Sequence, residues 1–450
     1  MPSPRQHLHG FVTTGPQTDL TMVEARDRIA HLYRRAGFGA GPEELDRGVA
    51  RGYEATVEAL VAIPDGDAGA DAVAPPSFAS ESAGAVRDPA QQRAQRQQRQ
   101  EELRSLQQWW LSRMVASTNP LREKLTLLWH GHFATSIDKV KRPQLMYGQN
   151  QLFRALGSGS FESLTGAVAE DAAMLIWLDS NTNKVGHPNE NFARELMELF
   201  TLGLGNYTED DVKEAARCFT GWGLSPTATL ALRPAQHDDG MKTVLGATGR
   251  FGGQDVVHLL THSPASSRWI PARLWSHLAY PVEPGDPVIS ELAPAYAADL
   301  DLRRLLRAIF LHPQFSSDRA LTGLVKQPVE YVVGALRALG LGVDARTPVV
   351  LQELGQVPFA PPSVGGWPQN SYWLSTAASL ARLRLATALA GRADLHALAA
   401  LPAEGRPDAV ARTLSVARWS GPTAAALGRV AGDPPALLAL ALTAPEYVVN

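Results

Sequence analysis

The sequence predicts a mainly α protein, a multi-helix globular chain with a small β-hairpin element around residues 226–252. Three observations predict it. Apolar residues recur at helical spacing along most of the chain. Its 450 residues are 45% hydrophobic and 19% charged, enough apolar material for two cores or one large helical core. The helical period lapses after Gly223, where short β-like runs are separated by Asp-Asp-Gly and Gly-Gly signals.

Residues 1–21 read as a tail. From 22 to 223 the chain reads as a first helical part, opening with MVEARDRIAHLYRRA, which puts Ile29, Leu32 and Tyr33 on one side. Gly37 or Gly39 can end that helix before Pro42 opens another. From about 63 to 90 the composition turns to Ala, Gly, Pro, Ser and Asp without period, a surface loop or linker. The stretch QQRAQRQQRQEELRSLQQWWLSRMVAS is polar at first and amphipathic from Leu103, so its helix emerges from solvent and packs by its second half. Helices continue through REKLTLLWH, PQLMYGQNQLFRAL, SFESLTGAVAE, AAMLIWLD, NENFARELMELFTL and TEDDVKEAARCFTGW. The last begins with Thr208 as N-cap and Asp211 three residues on, an acidic capping box. Residues 224–253 form the hairpin insertion, and 254–450 a second helical part interrupted by a Pro/Gly-rich aromatic loop at 355–373, GQVPFAPPSVGGWPQNSYW.

A net charge of -3 supplies no global basic field for phosphate backbones, so nucleic acid is not the expected partner. The one cysteine, Cys218, excludes an intramolecular disulfide and a Cys-based zinc site, and reads as a buried, inert thiol. The N-terminus shows no apolar h-region or twin-arginine signal and no eighteen-residue apolar run occurs, so no membrane insertion and cytoplasmic residence are expected. There is no G-x-S-x-G elbow, P-loop, dinucleotide G-x-G-x-x-G after a strand, or H-E-x-x-H.

The blocks HLYRRAGFG, LLWHGHFATS, AAMLIWLD, PNENFARELMELFTLGLGNYTEDDVKEAARCFTGW, HDDGMKTVLG, LLTHSPASSRWIPARLWSHL, VKQPVEYVVGALRALG and PPSVGGWP run from about residue 28 to 375. By them the chain resembles the bacterial family catalogued as domain of unknown function 1800. PNENFARELMELFTLG is the most specific of these blocks. The resemblance implies a mostly helical bacterial protein, often encoded beside a sulfatase-like partner, and implies no reaction. Many relatives look exported, and this chain departs from them in lacking a signal.

Asp179 to Glu190, DSNTNKVGHPNE, matches the ligand slots of a helix-loop-helix calcium loop, with Asp179, Asn181, Asn183, the Val185 carbonyl, His187 and Glu190 at positions 1, 3, 5, 7, 9 and 12. Its scaffold slots depart from that template: Lys184 stands where Gly makes the sharp turn, and Gly186 where an apolar residue is usual. The alternative is a polar turn ending in a helix cap near Pro188. In the helix that follows, Glu190, Asn191, Arg194, Glu195, Glu198 and Thr201 fall in one arc and Phe192, Leu196, Leu199 and Phe200 opposite. That polar arc is either a solvated ladder or the wall of a pocket, where Arg194, Glu195 and Glu198 could act in catalysis.

His130 and His132 form a His-x-His pair that can share a metal if Gly131 ends the helix, with Glu195, Glu198, His237 or Asp238 as a further ligand; packed core histidines are the alternative. His237, beside Asp238 and Asp239, is either part of an ordinary Asp-Asp-Gly turn or an acid–base group facing a cleft. Phe359, Trp367, Tyr372 and Trp373 either present a surface for a sugar or peptide or pack on the fold.

Two functions follow as expectations. One is a metal-dependent, hydrolase-type enzyme holding a divalent cation (Ca, Zn or Mn) at His130, His132 and carboxylates of the 190–198 helix. The other is a non-catalytic helical binding or assembly protein partnering a sulfatase-like protein.

Overall fold

Many helix starts are encoded locally, by proline at a first helical position behind a short polar cap. Asp88 precedes the Pro89–Ala116 helix, Asp286 the Pro287–Ala297 helix and Asp433 the Pro434–Thr443 helix, each carboxylate accepting a backbone N–H of the first turn. The capping box read at Thr208 and Asp211 opens the Glu209–Cys218 helix. The computed structural model describes residues 18–79, 88–225 and 227–449. It is mainly α, as the periodicity predicts, with two small antiparallel hairpins among the described residues. Trp222–Leu224 pairs with Leu230–Leu232, and Lys242–Val244 with Ala247–Gly249. The first strand starts at Trp222, within the CFTGW segment read as helical, because the Glu209–Cys218 helix has ended and Gly221 takes φ +80°.

The Thr18–Ala36 helix buries Ile29, Leu32 and Tyr33; most of the tail read at 1–21 lies outside the described residues. Within the stretch read as a linker, residues 80–87 also lie outside them, while Ala68–Asp71 makes one helical turn. Its cap, Asp67, also accepts from the Ser117 hydroxyl at 2.5 Å and from the Thr118 and Asn119 backbone at 2.9 and 3.2 Å. Burial disfavours the ionised carboxyl, but these bonds and that from Ala70 outweigh it and hold Asp67 below the ordinary carboxylate range. This part of the expected linker is therefore pinned to the end of the Pro89–Ala116 helix. That helix is exposed along its Gln/Arg-rich half and buries Leu106, Trp110, Leu111 and Met114.

Two apolar clusters make the core. One joins Ile29 and Leu32 with Trp129, Phe133, Phe161, Phe200 and Trp275; the other joins Trp110, Tyr331, Phe359, Trp373 and Leu437. The Pro120–His132 helix lies between them, giving Leu121, Leu125, Leu128 and Trp129 to the first and Leu127 to the second. It is fixed by Glu123, buried at 1% exposure, which accepts from Trp110 Nε1 (3.0 Å), Arg113 Nε (3.2 Å) and Arg154 Nε (2.8 Å).

The aromatic loop packs inward. Phe359, Trp367 and Trp373 are buried and only Tyr372, 66% exposed, meets solvent, so the four rings form no shared outward surface. Gly366, at φ +87°, brings this loop against the Pro120–His132 helix so closely that a Cβ there would lie 2.1 Å from the Gly131 carbonyl oxygen. Among the described residues, no helix is long and apolar enough to cross a membrane.

Candidate functional site at the Trp222 cleft

The 179–190 loop turns its oxygen side chains to separate partners. Asp179, at φ +56°, pairs with Lys139 at 2.7 Å, Asn181 is exposed, and Glu190 pairs with Arg194 at 3.0 Å. Asn183 points inward: its amide donates to the Ala216 carbonyl (2.8 Å) and its Oδ1 accepts from the Asn189 N–H (2.9 Å). Gly186 supplies the positive φ of +81° within a tight Lys184–His187 turn, two positions later than the calcium template requires. Asp179, Asn181, Asn183 and Glu190 therefore do not surround one point. The loop braces the neighbouring backbone, through Gly221 N–H to the Asn183 carbonyl (3.0 Å) and Val185 N–H to the Gln236 carbonyl (2.8 Å).

The following helix is α over Asn191–Glu195 and then widens to π over Leu196–Thr201. The wheel drawn at 100° per residue fails there. Thr201, placed on the polar arc by sequence, is fully buried and its hydroxyl donates to the Leu196 carbonyl at 2.5 Å. Carbonyls near the π turn take side-chain donors, Trp269 Nε1 to Leu199 (3.1 Å) and His132 Nε2 to Phe200 (2.9 Å). Trp269 also lies over Gly203, where a Cβ would meet its ring at 2.6 Å. The polar arc forms a partly exposed network: Arg194 bridges Glu190 and Glu209, and Glu198 accepts from the Tyr207 hydroxyl at 2.7 Å. Glu195 is half-buried; desolvation first, and the Glu198 carboxylate second, raise its pKa against the pull of Arg194.

His130 and His132 diverge because Gly131 does not end the helix, which runs through His132. His130 lies among Trp110, Phe153 and Phe359, with the Asn150 amide 3.1 Å from Nε2. His132 lies among Trp129, Phe133 and Phe161. Burial lowers both pKa values, that of His130 to about 3, and nearby Arg154 and Arg273 add to it. Among the described residues, neither ring belongs to a group of three or more side chains that could hold a metal. The expected metal pair is two core histidines.

His237 is placed differently. Gly221 lets the 233–237 segment pass close enough that a Cβ would lie 2.8 Å from the Arg233 carbonyl oxygen and 3.0 Å from the His237 nitrogen. His237 Nδ1 then reaches the Thr220 carbonyl at 2.8 Å. A carbonyl can only accept, so Nδ1 carries the proton and the neutral ring keeps its lone pair on Nε2. Nε2 lies 3.9 Å from Asp239 Oδ1 at a cavity of about 400 Å³ walled by Trp222, Leu230, Leu232 and Pro234. Asp255, at the start of the Gly253–Thr261 helix, and Glu170 add carboxylates to its lining. Asp238 does not join them: Arg217 pairs with it at 2.8 Å and holds its pKa down at about 2. Buried Lys242 is committed to the Asp238 and Phe251 carbonyls.

Residues 31–449, nearly the whole chain, match the family model described as protein of unknown function (DUF1800). The chain belongs to the DUF1800 family. No curated protein and no solved structure matches it. Two of the blocks that carry the resemblance meet at the cleft of this DUF1800 protein, the CFTGW end supplying Thr220, Gly221 and Trp222 and HDDG supplying His237 and Asp239.

Sequence reasoning passed over a second cluster. His258 and His262 stand four apart in QDVVHLLTH, one helical turn on the same face, and both meet Glu162 of the Phe161–Glu170 helix. The H-x-x-x-H spacing was the available signal. Without the glutamate of H-E-x-x-H it matches no named motif, and Glu162 is supplied from 96 residues away.

Proposed function

We propose that this DUF1800 protein is a hydrolase-type enzyme in which His237 activates water against a ligand seated on the Trp222 wall of the cleft. The observation that carries the reading is the bond from His237 Nδ1 to the Thr220 carbonyl, which presents Nε2 as the basic nitrogen at a mainly apolar cavity. A cavity of about 400 Å³ suits a small molecule or the end of a larger one. Thr220 is not the nucleophile, because its hydroxyl donates to the Arg217 carbonyl at 2.6 Å and accepts from the Asp238 N–H at 2.8 Å. Water is then the attacking group: Nε2 takes its proton as the bond to the electrophile forms, and returns a proton to the leaving group. Asp239, with Oδ1 3.9 Å from Nε2, stabilises the imidazolium between the two steps by its charge. Arg194 and Glu198 have no part in this chemistry, being engaged with Glu209 and Tyr207.

The test is hydrolysis of p-nitrophenyl esters and phosphates bearing small apolar groups by the wild type and by His237→Gln, which retains an N–H for the Thr220 carbonyl. The expected result is turnover that falls by roughly 100-fold or more in the variant, the scale of a lost general base. No turnover across the panel, or equal rates in the two proteins, overturns the proposal.

A further inference from the structure

We propose that His258, His262 and Glu162 form a binding site for a zinc-class transition-metal ion, separate from the His237 cleft. The two imidazoles project from one face of the Gly253–Thr261 helix and its last turn, with ring centroids 4.1 Å apart. Glu162, in the first turn of the facing Phe161–Glu170 helix, lies between them: Oε1 is 2.7 Å from His258 Nδ1 and Oε2 is 3.9 Å from His262 Nε2. One ligand atom from each residue can be chosen so that all three lie within 4.8 Å of one another. A zinc ion held at about 2.0–2.2 Å from each needs ligand atoms roughly 3.4 Å apart in tetrahedral geometry, so small rotations of exposed side chains close the site.

The orientation of His262 is the second observation. Its Nδ1 lies 3.0 Å from the His258 carbonyl, which can only accept. The Nδ1–H is thereby engaged, which leaves Nε2, 3.9 Å from Glu162 Oε2, as the ring atom free to ligate. A backbone carbonyl that fixes a ring in this way is the support that metal-ligating histidines commonly have. On metal binding, His258 Nδ1 gives up the proton it shares with Glu162, to solvent or to its own Nε2, and ligates in its place. Two nitrogens and one carboxylate suit zinc and its neighbours better than calcium or magnesium, which prefer oxygen throughout.

The place of the cluster indicates what the ion would do. At the other end of the same helix pair, Gln254 Nε2 donates to Glu170 Oε1 at 2.7 Å, and both residues line the His237 cleft. Eight residues along a helix separate Gln254 from His262, about 12 Å at 1.5 Å per residue. The ion would therefore clip the two helices together from outside the cleft and take no part in its chemistry.

Isothermal titration of the full chain with zinc chloride tests this, with His258→Ala/His262→Ala and Glu162→Gln as comparisons and circular dichroism to confirm that each is folded. The chain has 12 histidines, so the variants assign the site. One equivalent should bind to the wild type, at least about 100-fold more weakly to the double variant and about 10-fold more weakly to Glu162→Gln. Zinc should also raise Tm of the wild type and leave that of the double variant unchanged. No binding by the wild type, or an isotherm that the double variant leaves unaltered, overturns the assignment. His237→Gln should retain the zinc isotherm, so failure of the hydrolase reading would leave this result intact.

Discussion

Acid should unfold this protein through histidines that the fold keeps neutral. His31, His130 and His132 are 1%, 0% and 3% exposed, and burial lowers the pKa of each from the ordinary value near 6.5. A histidine whose folded pKa lies below its unfolded one binds a proton more readily when unfolded. Its contribution to stability is present above pH 6.5 and is lost as the pH falls toward the folded value. For His130, with a folded value of about 3, going from pH 7 to pH 5 costs about 2 kcal/mol. His31 and His132, lowered in the same direction by burial, add to that loss. Asp171 opposes them: burial raises its pKa to about 6, so its protonation below that value returns about 1 kcal/mol. The loss from His130 alone exceeds what Asp171 returns, so stability falls from pH 7 to pH 5. Urea unfolding followed by circular dichroism at pH 7 and pH 5 reads it, and His130→Phe isolates one group. Phenylalanine suits a site walled by Trp110, Phe153 and Phe359. It removes the Asn150 partner and lowers stability at both pH values, but the difference between them should shrink by about 2 kcal/mol. An unchanged difference would refute the claim that His130 is held neutral in the core.

Three further outcomes are expected. Asn183→Ala should destabilise by about 1–2 kcal/mol in urea melts, because it removes a buried bond to the Ala216 carbonyl, which keeps only the Phe219 N–H, and leaves the Asn189 N–H without its acceptor, whereas exposed Asn181→Ala should change stability by less than about 0.5 kcal/mol. A calcium loop would instead show both variants weakening a calcium-induced rise in Tm. Gly366→Ala should cost at least about 3 kcal/mol, since alanine there combines a left-handed φ with a backbone collision at Gly131, and a thermal melt within a degree or two of wild type would refute that packing. Cys218, whose pKa burial pushes up to about 12, should not react with a thiol reagent such as Ellman's at pH 8 until the chain is unfolded in urea.

What could be read along the chain was what is decided within a few residues. Ile29, Leu32 and Tyr33, the half-packed Pro89–Ala116 helix, the Thr208–Asp211 capping box and a β element in the middle of the chain each rest on periodicity, a cap or a turn, and each was legible. The site was legible only in its residue types. His237 was a candidate by its neighbours, Asp238 and Asp239, yet its chemistry comes from the Thr220 carbonyl and the Trp222 wall. Trp222 carried no sign that it would line a cavity.

By itself, the sequence determined where most of the helices run, where many of them start, and that the polar residues gather in a few blocks. Only the tertiary structure decided which way those residues face. Continuing the helix through Gly131 sent His130 and His132 to different neighbours; the π turn drew Thr201 into the core; and the Ala216 carbonyl drew Asn183 inward from its ligand slot. Each was settled by a partner that residue spacing does not specify, because a buried donor or acceptor must be satisfied wherever the packing brings one within reach. The same reason brings Glu162 to His258 and His262 across 96 residues of chain.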